Sequence, residues 1–425
     1  MDYKLEDVFG VRQEPVESYY SRPQVDEEFK NLLETDKHIV VYGASKQGKS
    51  SLIYKHLSKG TYLTVGCGIN SQAEDIYKSI LRNLDIRVET FREDVKGSNG
   101  ELSVKTSLRA IIPFMGEAKS GLSGKLGNQA EEKVTTKFIE YNLDIAQDVS
   151  DLFREIQFDR FIVLENFHYL DDEVQRRLSY DLRLFQENNL RFIILGIWKE
   201  RNRLMQYNRD LLDRIAELPV EPWKDRDFEH VINKGLSLLG YSFSEDIKKQ
   251  IIEMSFGNIG IVQELCKATC SFAIQLPNFG GDINDQEVLE KAIELKTNDY
   301  TSSHLKSLIY IASSHNTSAA LHLSYYLIKV IVNSDYEDLK NGISRMKIHT
   351  SIKAIHHNPE NVRAGDITSL LQGLAAKQLK FQITPPILDY DLSSSTLRII
   401  DSTLMFFINY MDKVKILEEI PNPTE

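Results

Sequence analysis

The chain has 425 residues, a formal net charge of -11 and 27% charged residues. It is long enough for two or three hydrophobic cores and too acidic for broad, nonspecific attachment to nucleic acid or anionic membrane. No apolar run reaches the roughly 20 residues that span a bilayer, the opening MDYKLED has neither the basic start nor the apolar run of a secretory signal, and three cysteines make no disulfide framework. A cytoplasmic chain with buried thiols is the expectation, with Cys266 and Cys270 on one helical face and no third metal ligand beside them.

Residues 1–20 read as a polar N-terminal arm ending in Tyr19-Tyr20 and lying against the core. Arg22-Pro23 then opens a small helix with Val25, Phe29, Leu32 and Leu33 at helical spacing. His38–Tyr42 is a short, β-branched apolar run that suits a buried parallel strand. The next eight residues, Gly43-Ala44-Ser45-Lys46-Gln47-Gly48-Lys49-Ser50, match G-x-x-x-x-G-K-[ST] without a break, and Leu52, Ile53, His56 and Leu57 continue as a helix. Strand, glycine loop and helix are the context in which that pattern binds a nucleotide. The chemistry accounts for the residue types. Backbone N–H groups at a helix N-terminus receive phosphate oxygens, and Gly43 and Gly48 let the loop curl. Lys49 reaches the β- and γ-phosphates and Ser50 offers its hydroxyl to Mg²⁺. The binding set is thus Gly43 to Ser50 with Ser51 beside it, and the ligands are ATP and Mg²⁺.

Thr61–Val65 reads as a second strand and Ala73–Leu84 as its crossover helix. The pattern then breaks. Residues 89–136 are charged and glycine-punctuated and read as an insertion, part mobile and part hairpin or helix, whose concentrated apolar patch is Leu108–Met115. A helix returns at Asp144–Ile156, followed by Phe161-Ile162-Val163-Leu164-Glu165, four apolar residues ending in an acid. An acid at the C-terminal tip of a buried strand faces the phosphate loop, so Glu165 joins Ser50 as the predicted Mg²⁺ ligand. Asn166 follows it. An amide can hydrogen-bond a water but cannot take its proton, so hydrolysis is slow or another group assists, His168 being the nearest titratable one.

Asp171–Glu187 is an amphipathic helix and Arg191–Trp198 the next buried strand. Arg201, Arg203, Arg209 and Arg214 follow before a last short strand that ends at Pro222-Trp223. An arginine beside a γ-phosphate stabilises transition-state charge and can come from a neighbouring subunit; Arg214 is the position favoured for it, against a surface salt bridge. From Trp223 to about Asn298 the spacing predicts a small helical bundle placed as a lid. From Thr301 onwards 12 Lys plus Arg balance 12 Asp plus Glu, and helices over 305–312, 322–332, 352–355 and 366–374 precede extended pieces at 378–383, 387–390 and 397–400. That order is plausible for a winged helix. Its neutral charge makes protein contact the preferred use and leaves DNA contact through a groove-reading helix as the alternative.

The core resembles the ATPase module of the AAA+ superfamily, nearest its origin-recognition-like and signal-transduction (STAND) branches. The resemblance rests on GASKQGKS at 43–50, FIVLENFHYL at 161–170, RFIILGIW at 191–198, LLDRIAELPVEPW at 211–223 and GNIGIVQEL at 257–265. It implies an α/β P-loop core with a parallel sheet over 21–222 (insertion 89–136), a helical lid over 223–298 and a winged-helix-like unit over 299–425. It also implies adenine contacts near Tyr20 and Arg22, and roles for Lys49, Ser50, Glu165 and Arg214 as above. The second carboxylate usual after the strand-end acid is Asn166 here, the lid arginine has no counterpart in Gly260-Ile261-Val262, and no polar sensor is evident at Gly196-Ile197. These departures point to a slow ATPase acting as a nucleotide-controlled switch. The expected partners are further copies of the chain or a separate effector protein, and the resemblance permits a setting in bacterial, including antiviral, defence, mobile-element or signalling systems. A DNA-binding or DNA-loading ATPase is the alternative.

Overall fold

The computed structural model describes residues 3–12, 14–96, 102–114, 135–198, 201–313 and 321–423. The strands in chain order begin with β1 (His38–Tyr42) and β2 (Tyr62–Gly66). The expected insertion follows as an antiparallel three-stranded sheet of β3 (Arg87–Lys96), β4 (Leu102–Phe114) and β5 (Thr135–Tyr141), with β4 central. The apolar patch at Leu108 falls in β4, while the glycine-rich runs at 97–101 and 117–128 lie outside the described residues. Then come β6 (Phe161–Glu165), β7 (Phe192–Gly196) and β8 (Ile215–Pro219).

Five of these strands form one parallel sheet in the order β2-β6-β7-β1-β8. Both faces are covered, which is why β1 and β7 are buried at every residue and, apart from His38, apolar. Side chains alternate across the sheet. Val40 and Tyr42 turn towards the helices Ala73–Asn83, Ala146–Glu155 and Asp172–Glu187, sharing a core with Ile80, Phe153 and Leu178. Ile39 and Val41 turn the other way, onto Phe29, Leu52 and Ile53.

The lid region is a bundle of Asp225–Leu239, Glu245–Met254 and Ile259–Ala273, with a two-residue parallel pair, β9 (Ser242–Phe243) and β10 (Asp282–Ile283). The N-terminal arm packs here and not on the sheet, because it is not wholly polar: the turn of helix Leu5–Val8 delivers Val8 and Phe9, both fully buried, among Phe228, Val231 and Val262. Phe9 lies against Gly235, where a Cβ would stand 2.3 Å from its Cζ. Gly235→Ala is therefore expected to cost about 1–3 kcal/mol by overpacking, read as a lower Tm and faster proteolytic removal of the arm; an unchanged Tm would mean that the arm does not hold this position.

A 27-residue helix, Gln286–Ala312, runs through residue 298, where a domain boundary was expected. Its first half gives Val288, Leu289 and Ala292 to the lid core, and its second half gives Leu308 and Ile311 to a separate C-terminal core. That C-terminal part contains Leu323–Asn333, Arg345–Ile355 and Ala364–Gln372, and an antiparallel sheet of β11 (Ile343–Ser344), β12 (Leu388–Asp391) and β13 (Thr396–Ile399) in the order β11-β13-β12. Helices followed by the pair β12 and β13 match the expected order, with the short β11 lying earlier in the chain. One piece differs: most of 378–383, read as extended, belongs to a helix at Leu374–Lys380 or its C-terminal turn. The Gln378 amide decides this, buried and donating to the Leu388 carbonyl at 2.8 Å while accepting from Ile387 and Leu388 N–H, an anchor that apolar periodicity does not reveal. Among the described residues no helix is long and apolar enough to cross a membrane.

Candidate functional site

The loop Gly43–Ser50 leaves the C-terminal end of β1, and the helix Lys49–His56 starts inside the motif. Gly43 is needed twice over: its φ is +152°, and a Cβ would lie 2.8 Å from Val220 Cγ2. Gly48, at φ +85°, turns the chain into the helix. Lys49 reaches back across the loop, its Nζ donating to the carbonyls of Gly43 (2.9 Å) and Ala44 (2.7 Å). Burial disfavours its charge and lowers its pKa to about 8, against the pull of Glu221.

β7 stands between β1 and β6, so Glu165 at the tip of β6 faces the loop across a crevice at the C-terminal edge of the sheet. Here the strand order turns back on itself, from β1 to β7 on one side and to β8 on the other; open α/β sheets bind ligands at such a point. The fold is that of a P-loop NTPase. No protein-family model matches the chain, and neither does any curated protein. Solved structures similar in fold include a Walker-type ATPase of Pyrococcus abyssi (11% identity, TM-score 0.46, covering 92% of this chain and 96% of that one). The Aeropyrum pernix ORC1 protein in complex with DNA is another (10%, 0.45, 92% and 94%), as is the Thermotoga maritima RuvB Holliday junction branch migration motor (13%, 0.39, 92% and 92%).

Within the P-loop core a cavity of about 370 Å³ joins the loop to the lid and the N-terminal arm. Its phosphate end holds Gly48, Lys49, Ser50, Ser51, Glu165 and Asn166. Glu165 hydrogen-bonds with Ser50, and half-burial raises its carboxyl above the usual range, with the Ser50 bond pulling the other way. A hydroxyl and a carboxylate side by side fit a Mg²⁺ ion, which takes few protein oxygens and fills its octahedron from phosphate and water. Its other end is walled by Tyr20, Arg22, Trp223, Val231 and Ile259. Tyr20 stacks on His230 at 4.6 Å. The Arg22 guanidinium lies 3.7 Å above the Trp223 ring and donates to the Val220 carbonyl. Both predicted base-end residues therefore share one cavity with the loop.

Asn166 has the left-handed conformation (φ 59°, ψ 34°) that asparagine tolerates better than most residues. His168 lines the same cavity, but neither ring nitrogen has a hydrogen-bond partner among the described residues. Burial first, then Lys49 and Arg203, lower its pKa to about 3. An imidazole that weak is a poor base at neutral pH, which favours packing over catalysis. Arg214 is not at the cavity. It precedes β8 at the N-terminal edge of the sheet, its carbonyl accepting from His38 N–H, and its guanidinium binds Glu187 (2.8 Å) and Gln186 (2.6 Å). That edge is opposite the loop, so a role beside a γ-phosphate is confined to the site of a neighbouring copy.

Three residues grip the outer side of the loop: Glu221 and Asn258, which sequence reasoning missed, and Gln47, expected in the binding set but not in this bracing role. Glu221 accepts from Ala44 N–H (2.6 Å) and from the Gln47 amide (2.7 Å). Gln47, buried, also donates to the Gly257 carbonyl at the lid. Asn258 donates to the Ser45 carbonyl (2.8 Å) and to Ser402 Oγ in the C-terminal part (2.9 Å). It also caps the helix that starts at Ile259, its side-chain oxygen accepting from Ile261 N–H.

The Lys49 environment sets a pH dependence. In the free protein the amine loses its proton through about pH 8, and a neutral amine forfeits its charge-assisted bonds to phosphate. ADP affinity is expected to fall above pH 8, approaching about tenfold per unit. Stability of the free protein moves the other way. The unfolded chain binds more protons between about 8 and the ordinary lysine value, so unfolding becomes harder as pH rises through that window. Calorimetric titration from pH 7 to 9.5 tests the first, and a flat profile would contradict it.

Proposed function

We propose that the protein binds ATP with Mg²⁺, hydrolyses it slowly, and works as a nucleotide-controlled assembly or signalling switch of the AAA+/STAND type. Lys49 and the loop amides hold the phosphates, Ser50 and Glu165 the metal, and Tyr20, Arg22 and Trp223 the base. The lid and the winged-helix-like part, joined through the continuous helix Gln286–Ala312, act together on the core.

One observation carries the switch. The loop that curls around phosphates on its inner side is hydrogen-bonded on its outer side to the lid and to the C-terminal part. Gly260 N–H donates to the Lys46 carbonyl (3.1 Å), Asn258 to Ser45, and Ser45 N–H to the Ile400 carbonyl (3.4 Å). A Cβ at Gly260 would lie 2.5 Å from Lys46 Cβ, so the lid backbone is in direct contact with the loop. Any shift of the loop on binding phosphate is passed to both. The partner is a second copy, to which Arg214 could contribute, or an effector protein, in a bacterial defence, mobile-element or signalling setting.

Mass in solution, followed with phosphate release, tests this without nucleotide, with ADP, and with ATP and Mg²⁺. An assembly that forms only with ATP is expected, with slow phosphate release. Mass and release both indifferent to nucleotide would overturn the reading.

A further inference from the structure

Asp26 is the one buried charge of the segment Pro23–Leu33, where Glu27, Glu28 and Lys30 are exposed. Phe29 docks that segment on Ile39 and Ile53, with Val25, Leu32 and Leu33 beside it, so the segment holds to the sheet without a carboxylate. A carboxylate that is 2% exposed is costly unless it is paired and hydrogen-bonded. Three donors from two directions supply that here. Oδ1 accepts from the Tyr19 hydroxyl (2.7 Å) and from His56 Nε2 (2.7 Å), which carries the proton because a carboxylate only accepts. Oδ2 accepts from the Arg22 N–H (2.8 Å).

These partners belong to the two ends of the nucleotide cavity. Tyr19 and Arg22 flank Tyr20 and line the cavity with it. His56 closes the helix Lys49–His56, whose first turn carries Lys49, Ser50 and Ser51 at the phosphate end. That helix is a stiff rod about 12 Å long. Asp26 does not line the cavity itself; it ties the base clamp to the far end of the phosphate helix from outside. We infer that Asp26 is a positioning residue for the nucleotide, an inference that rests on the nucleotide-binding reading. Its carboxylate sets the spacing between base clamp and phosphate helix, so that one molecule meets both ends without rearrangement. Such preorganisation is worth affinity only to a ligand that uses both ends. A ligand confined to the phosphate end gains nothing from it.

ADP and inorganic pyrophosphate, each with Mg²⁺, are titrated calorimetrically into the full chain and its variants. Asp26→Asn keeps the shape but sets a donor in front of a donor, and ADP affinity is expected to fall about tenfold. Tyr19→Phe removes one donor of the three and should lower it about threefold. Pyrophosphate affinity should stay within about twofold of the parent in both, whereas a general loss of structure would weaken both ligands alike. His56→Gln, whose amide keeps an N–H donor, should bind ADP more tightly than His56→Leu, a comparison that stands even where Asp26→Asn fails to fold. ADP affinity unchanged in Asp26→Asn, pyrophosphate affinity falling in step with it, or equal ADP affinity in the two His56 variants overturns the inference alone. A parent that binds neither ADP nor pyrophosphate overturns the nucleotide reading and this inference with it.

Discussion

Lys49→Ala is expected to abolish nucleotide binding, lowering affinity for ATP and ADP by about 10²-fold or more, while leaving the free protein close to its original stability. The first half follows from position. Nζ is held against Gly43 and Ala44 at the mouth of the phosphate end, where a cation is the strongest single attraction for a β- or γ-phosphate. The second half follows from two opposing terms. Removing the amine leaves two carbonyls without their donor, about 1–3 kcal/mol each. It also removes a buried cation whose pKa is depressed from 10.5 to about 8, which relieves roughly 3 kcal/mol at neutral pH. The two nearly cancel at the lower end of that range. Thermal unfolding with and without ADP separates them: the parent should gain about 2.7 kcal/mol at a ligand concentration of 100 Kd, and the variant nothing, with similar midpoints in the absence of ligand. A variant that still shifts with ADP would show that the loop is not where the nucleotide binds.

The same loop marks how far the sequence could be read. His38–Tyr42, Phe161–Glu165 and Phe192–Gly196 were legible as strands because a parallel sheet covered on both faces needs uninterrupted apolar runs. The motif at 43–50 was legible because few other backbones need glycine at both ends and a lysine between glycine and serine. Tyr20 and Arg22 were reached through family likeness, and the cavity does include them. What stayed hidden is tertiary. Nothing local distinguishes Glu221 from any acid beside a proline, yet its carboxylate fixes the start of the loop. Gln47 occupies a variable position of the motif, and its contacts lie 174 and 210 residues away. The placement of Arg214 at the far edge of the sheet depends on which end of β8 it precedes, a matter of direction and not of spacing. The Val8–Phe9 anchor was missed because two adjacent apolar residues in a largely polar arm show neither helical nor strand periodicity.

On the proposed reading Asn166 is what separates a slow switch from a fast enzyme, and its replacement tests that reading. Asn166→Glu is expected to raise the rate of phosphate release by about 10²-fold, the lower end of what a positioned general base contributes. The side chain already sits at the phosphate end beside Glu165, exposed to the cavity, so a carboxylate there can reach an attacking water. The cost is conformational. Residue 166 is at φ 59°, where asparagine is tolerated and glutamate pays about 1–2 kcal/mol, a loss of stability but not of a binding group. Asn166→Ala, which cannot hold the water at all, should change the slow parental rate only slightly, because no proton acceptor is lost. His168 is a poor substitute as base, because burial, Lys49 and Arg203 lower its pKa to about 3. Single-turnover phosphate release at saturating ATP and Mg²⁺ measures all three proteins. If Asn166→Glu folds, binds ATP as the parent does and releases phosphate no faster, then proton removal from water is not what limits turnover, and restraint of the loop by Asn258 and Gln47 becomes the term to weaken next.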